Sequence, residues 1–130
     1  MALLAGIRAM YWYTRGLSHF HSGKFSLAIE SFTRCLALDK SLDGAGIDAL
    51  LGQSFLAIGN LELAHLHLGK AFAEYEVAKR DGRPTDLTRD AELQLLRSLA
   101  MLLTTRGDTV TVRRINETIS SLTRDAQRGS

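Results

Sequence analysis

The 130-residue sequence predicts an all-α fold of three antiparallel helix hairpins stacked side by side. Three observations carry that expectation. Apolar residues recur at helical spacing over six stretches, while β-branched runs are scarce and Pro84 is the single proline. Glycines close those stretches at Gly23, Gly59 and Gly107, where a left-handed residue ends many helices. A set of small and aromatic residues also recurs at a fixed step. Gly16, Gly23, Phe25, Ala28, Phe32, Cys35 and Leu36 are followed 36 positions later by Gly52, Gly59, Leu61, Ala64, Leu68, Ala71 and Phe72.

The elements follow in order. Ala2 to Ser22 predicts a first helix whose apolar residues, among them Leu4, Ile7, Met10, Trp12, Tyr13, Leu17 and Phe20, wrap more than one face. Such a helix packs on two sides or binds something. Phe25 to Leu38 predicts the second helix, with Leu27, Ala28, Phe32, Cys35 and Leu36 as its stripe. Small Ala28 lets the antiparallel neighbour approach. Residues 39–46 form a loop rich in Gly and Asp. Ile47 to Ile58 predicts a third helix and Leu61 to about Lys79 a long fourth. The segment 80–85 is the clearest breaker. Asp86 is expected to cap a fifth helix ending near Thr105, with Leu93, Leu96, Leu99, Ala100 and Leu103 inside. Asp108 or Thr109 caps a sixth, with Val112, Ile115, Ile119 and Leu122 as its stripe. The hairpins span about 5–39, 45–79 and 86–123 of one domain, and 124–130 reads as a frayed polar tail.

A third, weaker copy of the recurring set has Ala100, Gly107, Thr109, Val112 and Ile119, 48 positions beyond the second. That longer step implies lengthened helices around residues 80–85, or a third hairpin docked at another angle. The recurrence has a physical reason. One hairpin cannot bury its own apolar face, and stacked hairpins bury a continuous strip.

This pattern resembles the tetratricopeptide repeat, which alternates large, small and aromatic residues around a turn glycine. Trp12, Gly16, Phe25, Ala28, Phe32 and Cys35 match it in the first unit. Leu51, Gly52, Phe55, Ala64, Leu68 and Ala71 match it in the second. The resemblance covers residues 9–122. Arg15 stands where the family has leucine, Lys40 replaces the closing proline, and Asn116 takes an aromatic position. The resemblance implies a short right-handed superhelix, an α-α solenoid. It also implies a concave groove lined by the first helix of each hairpin, where an amphipathic helix or extended peptide of another protein would bind. By repeat position the groove holds Tyr13, Leu17, Phe20 and His21. The second unit adds Ala49, Gln53, Leu56 and Ala57, and the third adds Arg97 and Met101. Tyr13, Leu17, Phe20 and Leu56 are the expected apolar anchors, and Gln53 and Arg97 orient the partner. Family members that clamp a terminal carboxylate carry Lys, Asn and Arg on this face. Tyr13 and Leu17 stand there instead, which argues against that subtype.

Composition narrows the function further. Net charge is +2, and no dense basic stripe with interleaved aromatics points to nucleic acid. No apolar run is long enough to cross a membrane. The single cysteine, Cys35, excludes an internal disulfide and any cysteine-based metal cluster. It fits a reducing compartment, so a cytoplasmic protein is expected. No acidic residue precedes Glu30, as in organellar transit peptides. Those residues already belong to the first packed helix, however, and removing them would destroy the repeat.

The histidines pair as His19/His21 and His65/His67. Residues two apart on a helix point to nearly opposite sides, so neither pair chelates a metal. Asp43, Asp48 and the Glu62/Glu74/Glu76 group read as solvated. No nucleophile elbow, phosphate-binding glycine loop, HExxH or CxxC is present. The expectation is a non-enzymatic binding module without cofactor. Two further readings stand beside the adaptor: a small chaperone resembling those of type III secretion, and a self-associating module joined through Leu3, Leu4 and Ile7 or through the last helix.

Overall fold

The computed structural model describes residues 2–40, 45–84 and 87–128. Its described elements are six helices in chain order: α1 (Ala2–His21), α2 (Phe25–Leu38), α3 (Ala45–Ala57), α4 (Leu61–Arg80), α5 (Arg89–Thr105) and α6 (Thr109–Arg128). Consecutive helices pair as α1/α2, α3/α4 and α5/α6, and α2 packs on α3. The chain divides into two compact units, Met1–Asp86 and Leu87–Ser130. The first holds two stacked hairpins, the second one hairpin.

Each hairpin turns on the same backbone chemistry. Gly23, Gly59 and Gly107 have φ of 76°, 85° and 80°, a region where a Cβ is strained. The glycine N–H bonds a carbonyl three residues back, and the next N–H bonds the carbonyl five residues back. These pairs are Gly23 to Phe20 with Lys24 to His19, Gly59 to Leu56 with Asn60 to Phe55, and Gly107 to Thr104 with Asp108 to Leu103. Carbonyls otherwise orphaned at the helix end are thereby satisfied. The following helix is then started by a side chain in two of the three hairpins. The Asn60 side chain accepts from the Leu63 N–H at 3.2 Å, and Asp108 accepts from Thr111 at 3.1 Å. Lys24 offers no such cap to α2.

Each of the first two hairpins closes its own two helices by the same contact. A Cβ added at Gly16 would lie 2.5 Å from Cε1 of Phe32, and one at Gly52 would lie 2.5 Å from Cγ of Leu68. Both members of the pair move by the same 36 positions. Glycine is present there because the facing side chain occupies the space of a Cβ. Ala9, Ala28, Phe32 and Cys35 of hairpin one are buried together with Ile47 and Leu51 of α3. This continuous strip spans the hairpin boundary.

Several expectations need correction. The third helix begins at Ala45, earlier than Ile47, and ends at Ala57. Asp86 lies outside the described residues. The cap of α5 is Thr88, whose hydroxyl accepts from the Ala91 N–H at 3.2 Å. In α5, Leu95 and Leu102 join the buried set, while Leu93 is only half-buried. The tail expected to fray from 124 is helical through Arg128. The 48-residue step comes largely from longer helices: α4 has 20 residues where α2 has 14, and α5 has 17 where α3 has 13. In α6 the most buried side chain is Ile115, one position before Asn116, which is exposed. The third hairpin therefore keeps the turn but packs α6 by a face rotated about 100° from the register of Phe32 and Leu68.

Candidate functional site

The candidate site is the α1 and α3 face of the first unit, where packing and exposure divide the side chains. Tyr13, Leu17 and Phe20 are half-buried and rest against the apolar strip without being sealed by it. The Tyr13 ring lies 6.1 Å from that of Phe32. Phe20 makes edge contacts with Phe25 and with His21, both at 5.6 Å between centroids. Both rings are thus supported by aromatic neighbours. His21 is exposed.

The register carries Tyr13, Leu17, Phe20 and His21 to Ala49, Gln53, Leu56 and Ala57. Gln53 and Leu56 are half-buried, as Leu17 and Phe20 are, and Ala57 is exposed. Ala49 is buried to 3% exposure and lines no open surface, which corrects its place in the expected groove. Arg97 and Met101 are exposed on α5, four residues apart and so on one side of that helix. They belong to the second unit.

Sequence reasoning missed one buried polar group beside this face. Asp48 was expected in water, yet it is fully buried. Its Oδ1 lies 2.9 Å from Nδ1 of His67, and its Oδ2 lies 3.7 Å from Nζ of Lys70. The His67 ring in turn stacks on Phe55, 5.5 Å between centroids and 13° from parallel. The register explains the cluster. Asp48 occupies in hairpin two the position of Trp12, and Lys70 that of Arg34. In hairpin one the Arg34 guanidinium sits over the Trp12 ring, 4.7 Å from its centroid. A cation over an aromatic face in one repeat is thus a cation beside a carboxylate in the next. A signal was available in the sequence: the large apolar position of the first copy falls on an acid in the second.

Among the described residues no three of His, Cys, Asp and Glu come together as a metal would need. Among them also, no helix is long and apolar enough to cross a membrane. A surface groove of about 540 Å³ lies in the second unit along α6, lined by Val112, Arg113, Asn116, Glu117, Ser120 and Arg124 among others. None of the expected site residues lines it.

Comparison with known proteins adds two findings. No curated protein matches the chain significantly. The family model described as the tetratricopeptide repeat matches residues 9–42, from the third turn of α1 past the end of α2. That match falls on hairpin one, the copy whose approach of Gly16 to Phe32 is repeated at Gly52 and Leu68, so residues 9–42 are similar to a tetratricopeptide repeat.

Proposed function

We propose that the protein is a non-enzymatic adaptor that holds a helix or extended peptide of another protein against the α1 and α3 face of its first unit. A general role in protein–protein interaction follows from the similarity of residues 9–42 to a tetratricopeptide repeat. The finer reading rests on one observation. Leu17 and Phe20 of α1 are half-buried, as are their repeat equivalents Gln53 and Leu56 of α3, and half-buried Tyr13 adjoins them on α1, while the residues beneath are sealed. Apolar side chains that are rigidly supported yet open to solvent are the usual anchors of a binding surface. Tyr13, Leu17, Phe20 and Leu56 would fill pockets on the partner. Gln53 would fix its register, and His21 would sit at the rim. Arg97 and Met101 offer a separate polar and apolar pair on α5 of the second unit. A cytoplasmic setting belongs to the same proposal, and the buried free thiol of Cys35 fits it.

The test is comparative capture. The full chain and its Tyr13→Ala/Leu17→Ala variant are immobilised at equal folded concentration, and bound proteins are quantified by mass spectrometry. The proposal predicts one or a few proteins held by the first and released by the second. Identical protein sets on both would remove this face from consideration.

A further inference from the structure

One face of α1 differs sharply in exposure from its counterpart in α3. The step of 36 carries Tyr11, Thr14, Arg15 and Ser18 to Ile47, Leu50, Leu51 and Ser54. In α3, Ile47, Leu51 and Ser54 are buried and Leu50 is half-buried. Ile47 and Leu51 lie in one cluster with Phe32 and Cys35, so the second helix of the hairpin before covers them. In α1 all four positions are exposed, and Tyr11 is 53% exposed where Ile47 is 4%. A surface that seats a helix in hairpin two is therefore open in hairpin one.

The open face is apolar towards its N-terminal end. Leu4, Ile7 and Tyr11 fall within about 60° of arc on the helix. They are 56%, 59% and 53% exposed, and Met10 adjoins them. Arg8 and Arg15 lie on the other side of the same stripe, within about 100° of Ile7. The Arg15 guanidinium is held in place by Tyr11, donating to its hydroxyl at 3.1 Å and lying 5.7 Å from its ring centroid. α1 contains no Asp or Glu. Among the described residues, neither Arg8 nor Arg15 pairs with a carboxylate.

These charges select the occupant. Arg15 stands where Leu51 is sealed in hairpin two. A wholly apolar helix laid over it would bury a guanidinium without a counter-charge, which is strongly unfavourable. A second copy of α1 would bring Arg8 and Arg15 against their own kind. We propose that this face is a second docking surface, separate from the Tyr13/Leu17/Phe20 face. Its occupant is an amphipathic helix of a partner protein whose apolar stripe is edged by carboxylates. Leu4, Ile7 and Tyr11 take the stripe, and Arg8 and Arg15 pair with the acids.

The test uses the full chain and two synthetic helical peptides with the same leucine stripe, one edged by Glu and one by Lys. Each is labelled and titrated by fluorescence anisotropy. The Glu-edged peptide should bind, and its affinity should fall as salt is raised. Ile7→Ser combined with Tyr11→Ser should weaken it by about tenfold or more, and Arg15→Gln should weaken it by a smaller factor. Leu17→Ala should leave it unchanged, which separates this face from the one proposed above. Ile7, Tyr11 and Arg15 are exposed and Leu17 is half-buried, and a thermal melt verifies that each variant is folded. Equal binding of both peptides overturns the proposal, as does absence of Glu-peptide binding. Sensitivity to Leu17→Ala in place of Ile7 and Tyr11 does the same. So does a concentration-dependent dimer abolished by Ile7→Ser/Tyr11→Ser, which would make a second copy the occupant.

Discussion

The buried carboxylate of Asp48 lies 2.9 Å from Nδ1 of His67, across the interface of the two helices of hairpin two. The pair is asymmetric. Asp48 is fully enclosed, whereas the side chains of His67 and Lys70 are 22% and 46% exposed. Removing Asp48 leaves two groups that water can still reach. Removing His67 leaves an enclosed carboxylate whose nearest cation is 3.7 Å away, and also discards the stack on Phe55. We therefore predict that His67→Ala costs about 3 kcal/mol and Asp48→Asn only about 1 kcal/mol in urea-denaturation stability. Equal costs would show that the carboxylate is not stranded when His67 is lost.

The glycines at the helix crossings give a second prediction. Alanine at an ordinary helix-interior glycine gains about 1 kcal/mol. Gly69 has no neighbour within 4 Å of an added Cβ, so Gly69→Ala should be stabilising by about that amount. Gly16→Ala meets the Phe32 ring and should be destabilising by about 1–2 kcal/mol net. Gly52→Ala also meets the Leu68 backbone nitrogen at 3.0 Å, which cannot rotate away, and should be the worst of the three. Thermal melts of the three variants check the order.

Cys35 supplies the pH prediction. Burial pushes its thiol pKa up, and Asp39 adds to the rise. The unfolded chain then loses this proton before the folded protein does. The contribution of Cys35 to stability is constant below the free thiol's value of 9.0 and is lost progressively above it. Wild type should therefore lose stability relative to Cys35→Ala as pH rises past that value, while the difference between them stays flat at neutral pH. The same burial predicts slow reaction of the native thiol with a disulfide reagent and fast reaction in denaturant. A native thiol that reacts at the denatured rate would contradict the placement of Cys35 in the core.

The hairpins were legible in the sequence because their determinants are local. Gly23, Gly59 and Gly107 mark turns by backbone chemistry that belongs to glycine, and the 36-residue step exposes Gly16/Phe32 and Gly52/Leu68 as one contact repeated. What stayed hidden depends on tertiary surroundings. Asp48 opens a helix that is apolar on most sides, and an acid in a first turn ordinarily faces water. Only its correspondence with Trp12 betrays the buried position. Ala49 reads as groove lining by register, but a small side chain at a helix crossing is covered by its larger neighbours. In α6 the turn kept its register while the packed face moved from Asn116 to Ile115, so the polar residue there was a sign of rotation and not of a defective core. Residues 124–128 continue the helix because they break no rule of helix formation, despite their polarity. The exposed stripe of Leu4, Ile7 and Tyr11 became meaningful only when set against buried Ile47 and Leu51.

The most direct measurement is a titration of the segment of a captured partner that binds, against wild type and the Tyr13→Ala/Leu17→Ala variant, both shown to be folded by circular dichroism. The account predicts an affinity loss of about tenfold or more for the double variant. An unchanged dissociation constant would contradict it.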